Sequence, residues 1–417
     1  MRHRRVLARG AGVGPSRRLL GDLGWLIALM AVAGGLAACQ PDGDAAANAR
    51  QANQMTPTGA LATVEIILAP APASFTATAV PAPTASATAT PAPTATPSPT
   101  PSPTASATET PTAIPSPTST SAPPAVLTPG QATGWTIAEM AGRAYGGGTL
   151  TDRGQVDTPT GFTRTLITYP SDGLTIYGFI NVPPGPGPFP VIIALHGYVE
   201  PSQYGILSYT TRYADALARA GYIVIHPNLR NFPPSDEGDD TFRTGMTADI
   251  LNLIAIVQAQ GGQPGLLTAA DPQRIGLWGH SLGGGLALRV MTISPVVQAT
   301  LLYAALSGDE QRNFDYVYRA SGGKRGAVEY HTPPEIVHEI SPLFHLERVQ
   351  SAVSIHHGGE DAGIPLPIAA DLCKRLQQAG KTVECFTYAG QGHIFSGRSD
   401  ELFIERSRAF FADHLRR

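Results

Sequence analysis

Apolar residues along the second half of this chain fall into short continuous runs separated by stretches with helical spacing. Pro190-Val191-Ile192-Ile193-Ala194-Leu195 has no polar alternate, which is how a strand reads when both of its faces are covered. Tyr222 to Ile225, Arg274 to Trp278, Ala299 to Leu306, Ser351 to His356 and Thr382 to Tyr388 also read as strands. Helix-competent segments fall between and after them at Thr211 to Ala220, Thr247 to Gln258, Leu286 to Met291, Leu366 to Gln378 and Glu401 to His414. Ahead of the first run, Thr163 to Tyr169 and Leu174 to Val182 flank Ser171-Asp172-Gly173, a hairpin signal. Strand and helix in turn predict an α/β fold, a mostly parallel central sheet with helices on both faces. Between Ser307 and Leu346 the alternation stops, predicting a small, polar and irregular insert placed to lie over a site.

The first 128 residues carry no such rhythm. Arg2, Arg4, Arg5, Arg9, Arg17 and Arg18 precede an apolar run from Trp25 to Ala38, the layout of a secretory signal too short to span a bilayer comfortably. From Ala69 to Pro124 the composition collapses to Pro, Thr, Ala and Ser, which cannot bury enough apolar surface to offset chain entropy. Such a stretch reads as a stalk whose roughly 55 residues, at about 3.1 Å each, reach up to about 170 Å. The expected organisation is a signal at 1–38, a Pro/Thr/Ala/Ser-rich stalk at 39–128, a lead-in at 129–164 and one globular domain at 165–417. Leu36-Ala37-Ala38-Cys39 resembles the lipobox of bacterial lipoproteins. The resemblance implies acylation of Cys39 and a protein tethered to a membrane on the bacterial cell surface, outside the cytoplasm.

Composition narrows the chemistry. A net charge of -3 offers no electrostatic footprint for nucleic acid. Three cysteines, at 39, 373 and 385, exclude a disulfide framework and a cysteine-rich zinc module. His331, His338, His345 and His356 have no metal-ligand spacing and read as insert or core residues, so neither metal nor other cofactor is expected. Whether Cys373 and Cys385 pair is a question for geometry.

The candidate chemistry centres on Gly279-His280-Ser281-Leu282-Gly283, a G-x-S-x-G stretch between an apolar run and a helix. A plain capping turn produces the same letters, but the arrangement also holds a serine hydroxyl on a sharp turn with its oxygen presented. A serine needs an imidazole to take its proton and a carboxylate to orient that imidazole. Asp361 lies in the Gly-rich loop His357-Gly358-Gly359-Glu360-Asp361 after a strand, with Glu360 as the competing acid, and His393 lies in the next such loop. The N–H of Leu282 and that of Tyr198, in the loop His196-Gly197-Tyr198-Val199, are the expected oxyanion donors.

Those loops, with Tyr169-Pro170-Ser171-Asp172-Gly173-Leu174, Tyr177-Gly178, Asp271-Pro272-Gln273-Arg274-Ile275-Gly276 and Ser341-Pro342, resemble the alpha/beta-hydrolase superfamily, in its dienelactone-hydrolase and prolyl-oligopeptidase group. The resemblance covers the chain from about Tyr169 onward. It implies Ser281 as nucleophile, Asp361 as acid, His393 as base, and Tyr198 and Leu282 at the oxyanion. Where relatives read D-x-R-G-x-G this chain has Asn228-Leu229-Arg230-Asn231-Phe232-Pro233, so a differently shaped loop is expected. Arg230 there either contacts a substrate or makes structural hydrogen bonds. The expected activity is hydrolysis of carboxylic esters; the alternative is cleavage of short peptides, against which stands the lack of a repeat-bearing segment to build a propeller. A surface binding module with a vestigial triad is disfavoured by the intact serine, acid and histidine.

Overall fold

The computed structural model describes residues 134–156 and 159–416. The expected signal, Cys39 and the stalk lie outside the described residues. A short helix α1 (Ile137–Gly142) and strand β1 (Thr151–Val156) lead into β2 (Thr163–Ser171), β3 (Leu174–Val182) and β4 (Phe189–Leu195). Then follow α2 (Thr211–Arg219), β5 (Ile223–Pro227), α3 (Thr244–Gln260), β6 (Ala270–His280), α4 (Leu282–Ile293) and β7 (Val297–Tyr303). Three helices, α5 (Glu310–Ala320), α6 (Ala327–Tyr330) and α7 (Pro334–Ile340), precede β8 (Ala352–Gly358), α8 (Leu366–Gln378), β9 (Val383–Tyr388) and α9 (Gly397–Leu415).

The strands form one sheet in the order β1-β2-β3-β5-β4-β6-β7-β8-β9. From β5 through β9 every neighbouring pair is parallel, and β1, β2 and β3 add an antiparallel edge. The β2–β3 hairpin closes through Asp172 and Gly173, both at positive φ, in the two-residue turn whose twist matches that of the strands. Chain order reverses around β4, which pairs with β5 on one side and β6 on the other. Open sheets place their sites in the crevice beyond the carboxyl ends of such strands.

The sheet is covered on both faces, and alternate residues of each central strand serve opposite cores. Val191, Ile193 and Leu195 pack with Met246, Ile250 and Leu286 of α3 and α4. Ile192 and Ala194 pack instead with Tyr213 and Leu217 of α2 and with Phe403 and Phe411 of α9. This explains why β4 is apolar without alternation.

Two expectations are corrected. The lead-in is not a separate preamble: Ile137 and Met140 are buried in the main core, and β1 pairs with β2. The insert is helical rather than irregular. Its Phe314, Ile336, Val337 and Ile340 form a small core with Phe242. Glu310 fixes it to the body by accepting from Arg243 and Arg289, while Asn313 of the same helix donates to it at 3.0 Å. Among the described residues no helix is long and apolar enough to cross a membrane.

Candidate active site

Ser281 sits between β6 and α4 with φ 53° and ψ -115°, a conformation that a side chain rarely adopts and that costs about 1–3 kcal/mol. The flanking glycines are required by close approach. A Cβ on Gly279 would collide with the backbone of Gly283, and one on Gly283 with the backbone of Leu195 and His196. The turn is gripped from β7: the N–H of Ser281 donates to the carbonyl of Tyr303 at 2.9 Å, and the carbonyl of Ser281 accepts from Leu306 at 3.1 Å. The serine remains partly exposed.

The carboxylate that meets His393 is that of Asp361, not Glu360. Glu360 is exposed, whereas the Asp361 side chain is fully buried in the loop after β8. One Asp361 oxygen accepts from the N–H groups of Gly363 and Ile364, each at 2.9 Å. The other lies 2.8 Å from Nδ1 of His393, in the loop after β9. A carboxylate can only accept, so Nδ1 carries a proton, and the neutral tautomer that fits this bond has its lone pair on Nε2. Burial pushes the Asp361 carboxyl up, but the hydrogen bond and charge of His393, the Ile364 N–H and the nearby His357 outweigh it and hold it below the ordinary carboxylate range. His357, which the sequence offered only as a loop residue, stands 3.5 Å from the same oxygen while bonding the carbonyl of Ile364 at 2.7 Å.

His393 is placed beside the elbow through His280, whose ring lies 4.8 Å from its own and whose Nε2 is 3.0 Å from its carbonyl oxygen. On the opposite side, the loop after β4 passes so close that a Cβ on Gly197 would stand 3.1 Å from Cβ of Ser281. The N–H of Gly197 is spent on the Tyr209 hydroxyl at 2.9 Å, leaving that of Tyr198 as the next donor along the loop. Leu282 opens α4, and its N–H is among the first-turn donors that a helix leaves unpaired. Burial and the adjacent Glu200 push the Tyr198 phenol up, with Arg325 of the insert acting in the opposite sense.

Of the two expectations for Arg230, the structure displays the hydrogen-bonded one. Its guanidinium is buried against Asp249, with Nη2 at 2.8 Å, while Nη1 donates to the carbonyl of Asp239 at 2.9 Å. Its guanidinium acts as a structural clamp between Asp249 and the Asp239 carbonyl. The neighbouring Asn231 takes φ 68°, a conformation glycine favours, with its amide bonded to both the N–H and the carbonyl of Gly238. Asparagine tolerates this region, so the lost glycine is partly replaced in kind.

Of the remaining histidines, His356 is buried between Ser354 and Tyr388, and His331 packs on Tyr330. The fold draws His338, Glu339 and His345 together, with ligand atoms within 4.8 Å, although no spacing in the sequence signalled it. His338 and Glu339 are about half exposed and already face each other at 3.1 Å, a surface pair. Cys373 and Cys385 form a disulfide joining α8 to β9.

The sequence pattern of the prolyl oligopeptidase family matches residues 208–417. A Synechocystis sp. protein provisionally named carboxymethylenebutenolidase is 23% identical over 246 residues, covering 55% of this chain and 85% of its own. Pyrococcus horikoshii acylaminoacyl peptidase shares the fold at TM-score 0.50 and 23% identity, over 62% of this chain but only 42% of that one. Acetyl xylan esterase 1 from Thermoanaerobacterium sp. does so at TM-score 0.50 and 16% identity, over 69% of this chain and 99% of that one. At these identities the likeness to the two solved structures is one of fold.

Proposed function

We propose, from the premise that the chain belongs to the prolyl oligopeptidase family and is a serine hydrolase, that it cleaves carboxylic esters by an acyl-enzyme route run by Ser281, His393 and Asp361. The observation that carries this reading is the conformation of Ser281, φ 53° and ψ -115°, at a turn beside which the Asp361–His393 pair is seated.

In this mechanism Nε2 of His393 takes the proton of the Ser281 hydroxyl as its oxygen attacks the ester carbonyl. Asp361 holds the imidazole in the productive tautomer and stabilises the imidazolium that forms. The N–H groups of Leu282 and Tyr198 receive the developing oxyanion, each worth about 10²- to 10³-fold in rate. His393 returns its proton to the departing alcohol, leaving an ester on Ser281. Water, deprotonated by the same imidazole, then releases the acid. No step calls for a cofactor.

Ester over peptide is supported by extent. The described fold is that of a hydrolase domain, matching 99% of an esterase and 42% of a peptidase. The second reading, cleavage of short peptides, is favoured by the family itself. Turnover of short p-nitrophenyl esters against prolyl p-nitroanilides separates them. The proposal expects ester cleavage that is lost in Ser281→Ala; cleavage of anilides alone would replace it with the peptidase reading.

For location, we propose acylation at Cys39 and tethering to a membrane outside the cytoplasm. The basic and apolar N-terminal pattern supports it, as does the Cys373–Cys385 disulfide, a bond that persists in oxidising compartments. Cys39→Ser is expected to move the protein from the membrane to the soluble fraction.

A further inference from the structure

The residue between the first glycine and Ser281 of the elbow, His280, is 1% exposed and bonded at both ring nitrogens. Nε2 lies 3.0 Å from the backbone carbonyl of His393. A carbonyl only accepts, so Nε2 carries a proton. Burial first, and the neighbouring His393 second, pull His280 down to about 3, so the ring is neutral and Nδ1 is a lone pair. Nδ1 stands 2.7 Å from the Tyr209 hydroxyl, which must therefore donate to it. The same hydroxyl oxygen accepts the N–H of Gly197 at 2.9 Å. The proton of every bond is thus assigned without choice: Gly197 N–H to Tyr209 oxygen, Tyr209 O–H to His280 Nδ1, His280 Nε2–H to His393 carbonyl.

This chain starts in the loop that offers the Tyr198 N–H, passes through the residue bonded covalently to Ser281, and ends on the backbone of His393. Tyr303 braces two of these parts, the elbow and the base loop. Its ring lies 4.4 Å from that of His280, its carbonyl accepts the Ser281 N–H, and its hydroxyl accepts the N–H of Phe395 at 2.5 Å. We infer that Tyr209 and His280 are positioning residues that set the oxyanion loop and the base loop in one register around Ser281. The inference rests on the proposed roles of Ser281, His393 and Tyr198. Neither residue needs to touch substrate. A fully satisfied polar chain rigidifies its ends, and misplacement of reacting groups by as little as about 1 Å costs about a hundredfold in rate.

The experiment uses a fluorophosphonate, which reports the attacking serine without a known substrate, and reads inactivation at saturation (kinact) apart from binding (KI). Tyr209→Phe keeps the ring and removes the hydroxyl, and kinact should fall about ten- to a hundredfold with KI nearly unchanged, while the melting temperature drops by a few degrees because the Gly197 N–H and His280 Nδ1 lose their partner. His280→Asn keeps an acceptor near Nδ1 and loses the bond to His393; His280→Gln keeps a donor near Nε2 and loses the bond to Tyr209. Tyr209→Phe should therefore cost little more in the His280→Gln background and its full factor in the His280→Asn background. An unchanged kinact in Tyr209→Phe, equal factors in the two backgrounds, or a loss seen only in KI or melting temperature would overturn the inference. Wild-type protein that is not labelled at Ser281 would instead overturn the functional reading on which it rests.

Discussion

Asp249 and Asp361 both have fully buried carboxylates, and each grips a base, yet only one of the two pairs has chemistry left over. Asp249 receives Nε, Nη2 and the backbone N–H of Arg230 together with the hydroxyl of Ser171, and the remaining guanidinium nitrogen goes to Asp239. A guanidinium has donors and no acceptor, so once paired it can only hold. Asp361 takes two backbone N–H groups and one nitrogen of an imidazole whose side chain is still 18% exposed. An imidazole fixed at one nitrogen still has the other with which to accept and return a proton. Burial of an acid thus does not mark a site; spare capacity on its partner does.

Substitution separates the two pairs. Asp361→Asn should lower ester kcat by roughly 10³- to 10⁴-fold, since an amide can donate to Nδ1 and favour the unproductive tautomer. Steady-state turnover checks this, and a variant that keeps its rate would remove the distinction. Asp249→Ala takes from the buried Arg230 its main ion-pair partner, leaving Asp172 at 3.7 Å and the carbonyl of Asp239, and urea unfolding should show a loss of about 3 kcal/mol. The folded fraction of that variant should keep its turnover within a few-fold; a loss as deep as that of Asp361→Asn would place Arg230 at the substrate after all.

The smallest effect is in pH. The folded pKa of Asp361 lies below its unfolded value, so its contribution to stability is complete above about pH 4 and is lost as pH falls through the folded value. Urea midpoints measured down a pH series should fall less steeply below pH 4 in Asp361→Asn than in the wild type. Parallel curves would mean that the pair with His393 adds nothing to folding.

What could be read from the sequence followed from how local each signal is. The central parallel strands announce themselves because both faces are apolar, and the acid and base could be named because each sits in a glycine-rich loop directly after a strand, β8 for Asp361 and the more exposed edge strand β9 for His393. The choice between Glu360 and Asp361 was legible only as a preference, since one residue of register decides which carboxylate turns inward. The fate of Arg230 was not legible, because its partner Asp249 is 19 residues away on a helix and meets it only after α3 packs. Of the insert helices, α5 buries little apolar beyond Phe314 and α6 is a single turn, so neither shows an apolar stripe, while α7 carries one in Ile336, Val337 and Ile340 but spans only seven residues. Tyr209 carried no signal at all: a tyrosine in a polar loop acquires its role from a hydroxyl bonded to residues 12 and 71 positions away.

Fluorophosphonate labelling followed by peptide mapping addresses the nucleophile itself. The label is expected on Ser281 in the wild type, at a rate depressed by orders of magnitude in His393→Ala, and absent in Ser281→Ala. Equal labelling of Ser281→Ala, or a label mapped to another serine, would contradict the assignment of this elbow as the catalytic centre.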